Sequence, residues 1–273
     1  VALGAVAKQK VTRIVGIVLV KNEDRFVRQA VESALPACDE ILLVDNGSTD
    51  ATVPILKEIA GQHSAKARFH AISHPRESHD LLKPLAGSDT WVLAVDGDEI
   101  YDPAGLETFR RMVLSGDFKE QWMVLGNVLH CEKIDANRAC GWMSPPSRSI
   151  TKFYNFAAIE SWGGDTPERL HGGSPVFRPG FSESLKRRLE LEYAWESSPL
   201  RCLHTCFMPR SSADAAVQSR ENIMETYRGG LTNRIKRTLR RLLCKPEESR
   251  WKLERYMRGE RVCVDAAPFF MPR

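Results

Sequence analysis

The chain has 273 residues, 42% hydrophobic and 27% charged, which is enough apolar material for a full core and excludes a disordered tail. Its 39 Lys and Arg against 35 Asp and Glu give a net charge of +4, far from the basic footprint of a protein that wraps nucleic acid. The length suits one large α/β domain, or one domain with a small appendage.

Residues 1–10 are Ala-rich and mildly basic, without the apolar stretch or cleavage site of a signal peptide. No apolar run approaches the roughly 20 residues needed to span a bilayer. Seven cysteines, at positions 38, 131, 140, 202, 206, 244 and 263, form no CxxC pair and make an odd total. That pattern argues against a secreted disulfide framework and for reduced thiols in a cytoplasmic protein. Cys202, His204 and Cys206 alternate without a second Cys/His pair, a weak match to structural zinc.

In chain order, Ile14 to Val20 (IVGIVLV) reads as a strand buried on both faces, as in a parallel sheet. A helix is expected over 24–35 from Phe26, Val27, Ala30, Val31 and Ala34, ending near Pro36. Ile41 to Val44 is a second strand, followed by the turn-rich DNGSTD and a helix over Ala51 to Ala60. This βαβα opening has the architecture of nucleotide-binding folds. The segment from His70 to Pro84 is less regular. Trp91 to Val95 (WVLAV) is a third strand running into DGDE, where open α/β sheets place ligands. A helix over 103–114 and a strand over Gln121 to Leu129 follow. The stretch to about Pro179, richer in Gly, Pro and aromatics, reads as substrate-facing loops and short strands.

Beyond Ser211 the pattern turns helical and basic, with Arg234, Lys236, Arg237, Arg240 and Arg241 near an apolar stripe of Leu231, Ile235, Leu239 and Leu242. The resulting division is an amino-terminal segment over 1–11, one α/β domain with halves over 12–115 and 116–210, and a basic helical extension over 211–273. The basic stripe is suited to an anionic membrane surface, to docking on the catalytic domain with a solvated face, or to a homo-oligomer contact.

The chemistry concentrates in three segments. In VDGDE, Val95 to Glu99, two aspartates flank a glycine on a turn leaving a buried strand, an arrangement that brings carboxylate oxygens to a hard divalent cation. In VDNGSTDAT, Asp45 closes a buried strand where its carboxylate would accept the imide N–H of a pyrimidine, whereas Asp50 and Ser48 suit helix capping. The third segment is WGGDTPERLH, Trp162 to His171. Arg76 and Lys83, in the loop before the third strand, are read as solvated surface charge.

Taken in this order, IVGIVLVKNED, ILLVDNGSTDAT and WVLAVDGDE resemble the inverting GT-A glycosyltransferases of family 2, over roughly residues 12 to 210. The resemblance implies an α/β GT-A fold, a single Rossmann-like domain with a central mixed, mostly parallel sheet flanked by helices. It also implies a donor site at Val20, Glu23, Asp45, Asp96, Gly97 and Asp98, with Asp98 as principal metal ligand, Asp96 near ribose and metal, and Mn2+ or Mg2+ as cofactor. WGGDTPERLH is similar to the acceptor-side segment of bacterial lipopolysaccharide-core-type members, where a glutamate is the catalytic base. Glu168 is the matching residue, and Pro167 in place of the family's usual histidine leaves Asp165 as a competitor. His204, in RCLHTCF, falls where related enzymes carry a histidine that completes metal or diphosphate binding. Trp162 is assigned an acceptor-side role as a platform for a pyranose face, against the alternative that buried aromatics are core.

The implied reaction moves a sugar from a uridine or thymidine diphosphate donor to a hydroxyl of a saccharide or lipid-linked glycan, with one base and one Lewis acid. No nucleic acid partner is expected. A nucleotidyltransferase is the alternative enzyme, although KNEDRF does not offer that class's glycine-rich basic loop, and a noncatalytic nucleotide- or glycan-binding protein of the same fold is the third reading.

Overall fold

In the computed structural model the described residues are 12–150, 152–164, 170, 173–214 and 254–270. The strand β1 (Arg13–Val20) leads to helix α1 (Val27–Ala34), then β2 (Glu40–Asp45), α2 (Thr52–Gln62), β3 (Ala67–Ala71), α3 (Glu77–Leu82) and β4 (Thr90–Asp96). Next come β5 (Glu99–Tyr101), α4 (Pro103–Ser115), β6 (Met123–Leu125), β7 (Asn127–Ile134), β8 (Arg138–Met143) and β9 (Lys152–Asn155). The remaining strands are β10 (Ile159–Gly163), β11 (Ser174–Phe177), β12 (Lys186–Arg188), β13 (Arg201–His204) and β14 (Arg261–Asp265).

A seven-stranded sheet runs in the order β12-β6-β9-β4-β1-β2-β3. The pairs β1 with β2, β1 with β4, β2 with β3, and β12 with β6 are parallel, and β9 is antiparallel to both of its neighbours. This is the mixed, mostly parallel sheet that the resemblance implied. β1 sits inside it, between β4 and β2, because both of its faces are apolar: Ile14, Val18 and Val20 enter the core shared with α1 and α4, while Val15, Ile17 and Leu19 enter the core on the other face with Trp122, Tyr154 and Trp162. Side chains alternate with period two along a strand, so only a residue run apolar at every position can occupy such a place.

A second sheet, β14-β8-β7-β13-β5, packs beside the first. The expected single strand from Gln121 to Leu129 is in fact two, divided at Gly126 between the two sheets. A Cβ on Gly126 would lie 2.0 Å from the Leu200 carbonyl oxygen, so the chain crosses from one sheet to the other only because that position has no side chain. The boundary placed at 115/116 therefore runs through a shared sheet, to which β6, β9 and β12 contribute. The segment from His70 to Pro84 is also more ordered than its sequence suggested, holding the end of β3 and all of α3.

The extension read as helical contributes strand β14, which is antiparallel to β8 and joined to it by a Cys140–Cys263 disulfide. That bond corrects the reading of uniformly reduced thiols, although Cys38, Cys131, Cys202 and Cys206 are free and buried. The basic stripe around Leu231 lies outside the described residues. No helix among the described residues is long and apolar enough to cross a membrane.

Candidate active site

The parallel order β4-β1-β2-β3 reverses direction of progression at β1, so the carboxyl ends of β1 and β4 form a topological switch point, where open α/β sheets open a crevice. The register fixes what lines it: Val20 pairs with Asp45 on one side, and Leu19 with Asp96 on the other. The loops leaving β1 and β2 are stitched together above this point. Asn22, at φ 53°, accepts from the Thr49 N–H at 2.7 Å, and its own N–H donates to Ser48 Oγ at 2.8 Å. The Glu23 N–H donates to Thr52 Oγ1 at 2.8 Å. Asp50 accepts from the Thr52 N–H at 3.0 Å, closing the turn before α2, but the cap position is Ala51 and no side chain caps the helix, so neither Asp50 nor Ser48 takes the expected capping role, and Ser48 serves the neighbouring loop.

The turn from β4 to β5 carries the aspartate pair. Gly97 is confined by its neighbours, since a Cβ there would lie 2.2 Å from Glu23 Oε2 and 2.6 Å from Val20 Cγ1. Asp98 is 1% exposed and Glu23 2%. Both carboxylates meet one guanidinium: Arg210 Nη1 donates to Asp98 Oδ2 at 2.8 Å and to Glu23 Oε1 at 3.2 Å. A cation shared by two buried carboxylates offsets their desolvation and mutual repulsion, which would otherwise favour protonation of one of them.

His204, the last residue of β13, is the cross-strand partner of Glu99 on β5, and its Nε2 lies 3.5 Å from Asp98 Oδ2. Carboxylate oxygen with imidazole nitrogen, at a place already built around positive charge, is a donor set that fits Mn2+ and related divalent ions. Of the three residues expected at the metal, the structure thus brings Asp98 and His204 together. Asp96 ends β4 on the wall of a cleft that it lines with Ser78, Glu99, Lys152 and Leu170. Glu99 accepts from Tyr101 Oη at 2.9 Å and from the Asp96 N–H at 3.2 Å. Burial, followed by the Asp96 charge, pushes its carboxyl up to about 8.

Behind His204 lies a second histidine. His130, on β7 in the parallel register opposite His204, is fully buried. Its Nδ1 is 2.9 Å from His204 Nδ1, its Nε2 is 2.8 Å from the Arg148 carbonyl oxygen, and its ring stacks on Tyr256 at 4.2 Å. Burial, and then the neighbouring His204, hold its pKa well below the ordinary histidine value. Cys206 Sγ approaches His130 Nδ1 at 3.9 Å. Among the described residues, this trio of His130, His204 and Cys206 replaces the alternating Cys202, His204 and Cys206 as the cluster with metal-ligand character.

Other expectations fare differently. Asp45 is 4% exposed, and its carboxylate accepts from the Gly47 N–H at 3.0 Å and the Ser48 N–H at 3.2 Å, closing its own turn. Trp162 is not a platform: it is 4% exposed, packs against Phe156, and donates Nε1–H to His79 Nδ1 at 3.2 Å. The core alternative holds for it. Lys83 pairs with Asp80 at the surface, as expected of solvated charge. Glu168 and Asp165 lie outside the described residues, although Leu170, close to both in sequence, lines the cleft with Asp96.

Sequence reasoning missed Arg210, His130, Lys152 and Asn46. Asn46 follows Asp45, is 2% exposed, and has neither Oδ1 nor Nδ2 hydrogen-bonded among the described residues. The turn signal DNG drew attention to the loop, but nothing in a single turn sequence distinguishes a buried amide from a solvated one.

Residues 17–179, more than half of the chain, match Glycosyl transferase family 2. The chain belongs to that family. It is 30% identical over 87 residues to an uncharacterized glycosyltransferase of Rickettsia prowazekii, covering 32% of this chain and 28% of that one. The corresponding Rickettsia typhi protein is 29% identical over the same length and coverage. The chain thus spans less than a third of the length of these curated relatives. Among solved structures, it is similar to glucosyl-3-phosphoglycerate synthase from Mycobacterium tuberculosis in complex with Mn2+, UDP and glucosyl-3-phosphoglycerate, at 22% identity and a TM-score of 0.32 over 44% of each chain. It is also similar to a mannosyltransferase from Pyrobaculum calidifontis in complex with GDP-Man and Mn2+, at 19% identity and a TM-score of 0.32, covering 44% of this chain and 36% of that one.

Proposed function

We propose that this chain transfers a sugar, with inversion, from a uridine or thymidine diphosphate donor to a hydroxyl of a saccharide or lipid-linked glycan, as lipopolysaccharide-core-type members of the family do. The observation that carries the reading is the convergence of Glu23 and Asp98, both buried, on a single cation at the switch point of the sheet. A site of this kind is built to hold positive charge against the diphosphate of a donor lying across the carboxyl ends of β1 and β4.

Asp98 and His204 would hold a divalent ion, Mn2+ or Mg2+, with Asp96 beside it. Charge growing on the leaving diphosphate would be neutralised there, chiefly in the transition state. The stitched loops at Val20, Glu23 and Asp45 would receive the nucleoside, and the orphaned carboxamide of Asn46 offers the adjacent donor and acceptor that a pyrimidine edge complements. Glu168, or Asp165 in competition with it, would take the acceptor's proton from the opposite face, a role commonly worth about 100-fold to 10,000-fold. The position of Leu170 on the cleft wall supports that placement. Peripheral membrane contact through the basic stripe after Leu231 is part of the proposal for a lipid-linked acceptor, with the cytoplasmic face as the setting.

The test is a panel of nucleotide sugars with and without Mn2+, read by release of nucleoside diphosphate and by mass spectrometry of the products. Cation-dependent release of nucleoside diphosphate, lost in Asp98→Ala, supports the reading. Release of pyrophosphate instead would identify nucleotidyl transfer, and unchanged turnover in Asp98→Ala would remove the donor site from this position.

A further inference from the structure

The geometry points to His130 as a positioning residue that holds the Nδ1 proton of His204, so that Nε2 is the ring nitrogen turned to Asp98. This rests on the proposed metal role of Asp98 and His204. Hydrogen positions follow from a chain of contacts that begins at an unambiguous acceptor. The Arg148 carbonyl oxygen can only accept, so His130 Nε2, at 2.8 Å, must carry a proton. A ring with no exposed surface is neutral and holds one proton. His130 Nδ1 is therefore an acceptor, and His204 Nδ1, 2.9 Å away, must be the donor. The other nitrogen of His204, Nε2, is then the one that faces Asp98 Oδ2, at 3.5 Å. Nε2 and Oδ2 would together form one side of a cation site, with Nε2 the nitrogen left to take the ion while the Nδ1 proton is held on His130.

A metal ion shared by His130, His204 and Cys206 is the competing arrangement, and the distances argue against it. Two imidazole nitrogens bound tetrahedrally at about 2.05 Å lie about 3.3 Å apart, and nitrogen and sulfur about 3.6 Å. The observed separations are 2.9 Å between the nitrogens and 3.9 Å to the sulfur. The first is the length of a hydrogen bond, and the second is too long for a common ion. Tyr256, stacked on the His130 ring with an interplanar angle of 6°, keeps the ring plane in place for the relay.

The experiment measures Mn2+ binding alone, by the electron paramagnetic resonance signal of the free ion, in the wild-type chain and in Asp98→Ala, His130→Phe and His130→Asn. Phenylalanine keeps the stack on Tyr256 and deletes the acceptor, and asparagine restores an acceptor oxygen near the Nδ1 position. His130→Phe is expected to bind Mn2+ about 10- to 100-fold more weakly, with most of the loss recovered in His130→Asn. Wild-type affinity in His130→Phe overturns the inference while leaving the metal site standing. Binding by Asp98→Ala equal to wild type overturns both. Should His130→Phe not fold, long-range 15N–1H correlation on the labelled wild-type chain decides: His204 with a proton on Nδ1 supports the relay, and His204 with Nδ1 bare overturns it. One equivalent of zinc retained by the purified chain and released by alkylation of Cys206 also overturns it.

Discussion

Arg210 and Asp98 are 112 residues apart in sequence and 2.8 Å apart in space, and the same guanidinium nitrogen also reaches Glu23 at 3.2 Å. This arginine does in the folded chain what a divalent ion would do, which gives it a testable signature. Arg210→Met leaves two carboxylates of at most 2% exposure with their shared cation removed, and a broken buried pair costs about 3–5 kcal/mol. The variant is expected to melt well below wild type in the presence of chelator and to regain most of that difference in millimolar Mn2+. Equal Mn2+ shifts in thermal denaturation of the two proteins would show that Arg210 and the ion do not share a role.

Gly97→Ala is expected to cripple the site at modest cost to the fold. Its Cβ would need the space of Glu23 Oε2 and Val20 Cγ1, an overpacking of about 1–3 kcal/mol that pushes the turn after β4 away from the loop after β1, where the donor is proposed to lie. Donor turnover should fall at least about 10-fold while far-ultraviolet circular dichroism is unchanged. A fully active alanine variant would mean that the turn adapts and that its geometry is not critical.

Asn46 separates a structural role from a binding one. An unsatisfied buried amide costs about 1–3 kcal/mol, so Asn46→Leu should leave the unliganded chain as stable as wild type or more so. If the amide reads the nucleoside, donor affinity drops about 10-fold in the same variant. Calorimetric titration with the nucleoside diphosphate measures this, and unchanged affinity assigns the amide no ligand.

Acid stability should depend on Asp39. Its carboxylate accepts from Arg110 at 2.7 and 3.0 Å and from the Ile14 N–H at 2.8 Å. Burial works to raise its pKa, but the Arg110 and Ile14 hydrogen bonds outweigh it and lower the value. A depressed folded pKa means a stabilisation complete above the unfolded value of about 3.9 and lost as pH falls through the folded one. Urea midpoints between about pH 3 and pH 6 should therefore fall more steeply for wild type than for Asp39→Asn. Parallel slopes would show that the pair contributes nothing to acid sensitivity.

The Cys140–Cys263 bond closes a loop with a sequence separation of 123, for which loop-closure entropy suggests a contribution approaching about 4–5 kcal/mol. Dithiothreitol is expected to lower the melting temperature of wild type and to leave that of Cys263→Ser unmoved. A wild-type chain indifferent to reductant would place the bond outside the stability of the fold.

The parallel strands and the aspartate turn were legible because each is written locally. IVGIVLV and WVLAV are apolar at every position, which marks central strands, and DGDE follows the second directly. The division at Gly126 was not legible. QWMVLGNVL reads as one apolar run, and the reason for the break, the Leu200 carbonyl, lies 74 residues further on. Arg210 and His130 escaped for the same reason. Each lies far in sequence from its functional partner, and a lone arginine or histidine carries no local pattern. Trp162 was misassigned because its neighbours in WGGDTPERLH spoke for the acceptor side, while its actual neighbours in space are Phe156 and His79.

The pairing of His204 with Glu99 across β13 and β5 sets a limit on how this protein can change. A slip of one residue would carry Leu203 or Thr205 to the place beside Asp98 and turn the imidazole to the opposite side of the sheet. Lengthening the connection before β13 is tolerable only if the slack is absorbed before Arg201, whose guanidinium grips Asp102 at 2.8 Å. Changes of length are therefore more readily accommodated upstream of Arg201 than among the few residues that deliver this histidine.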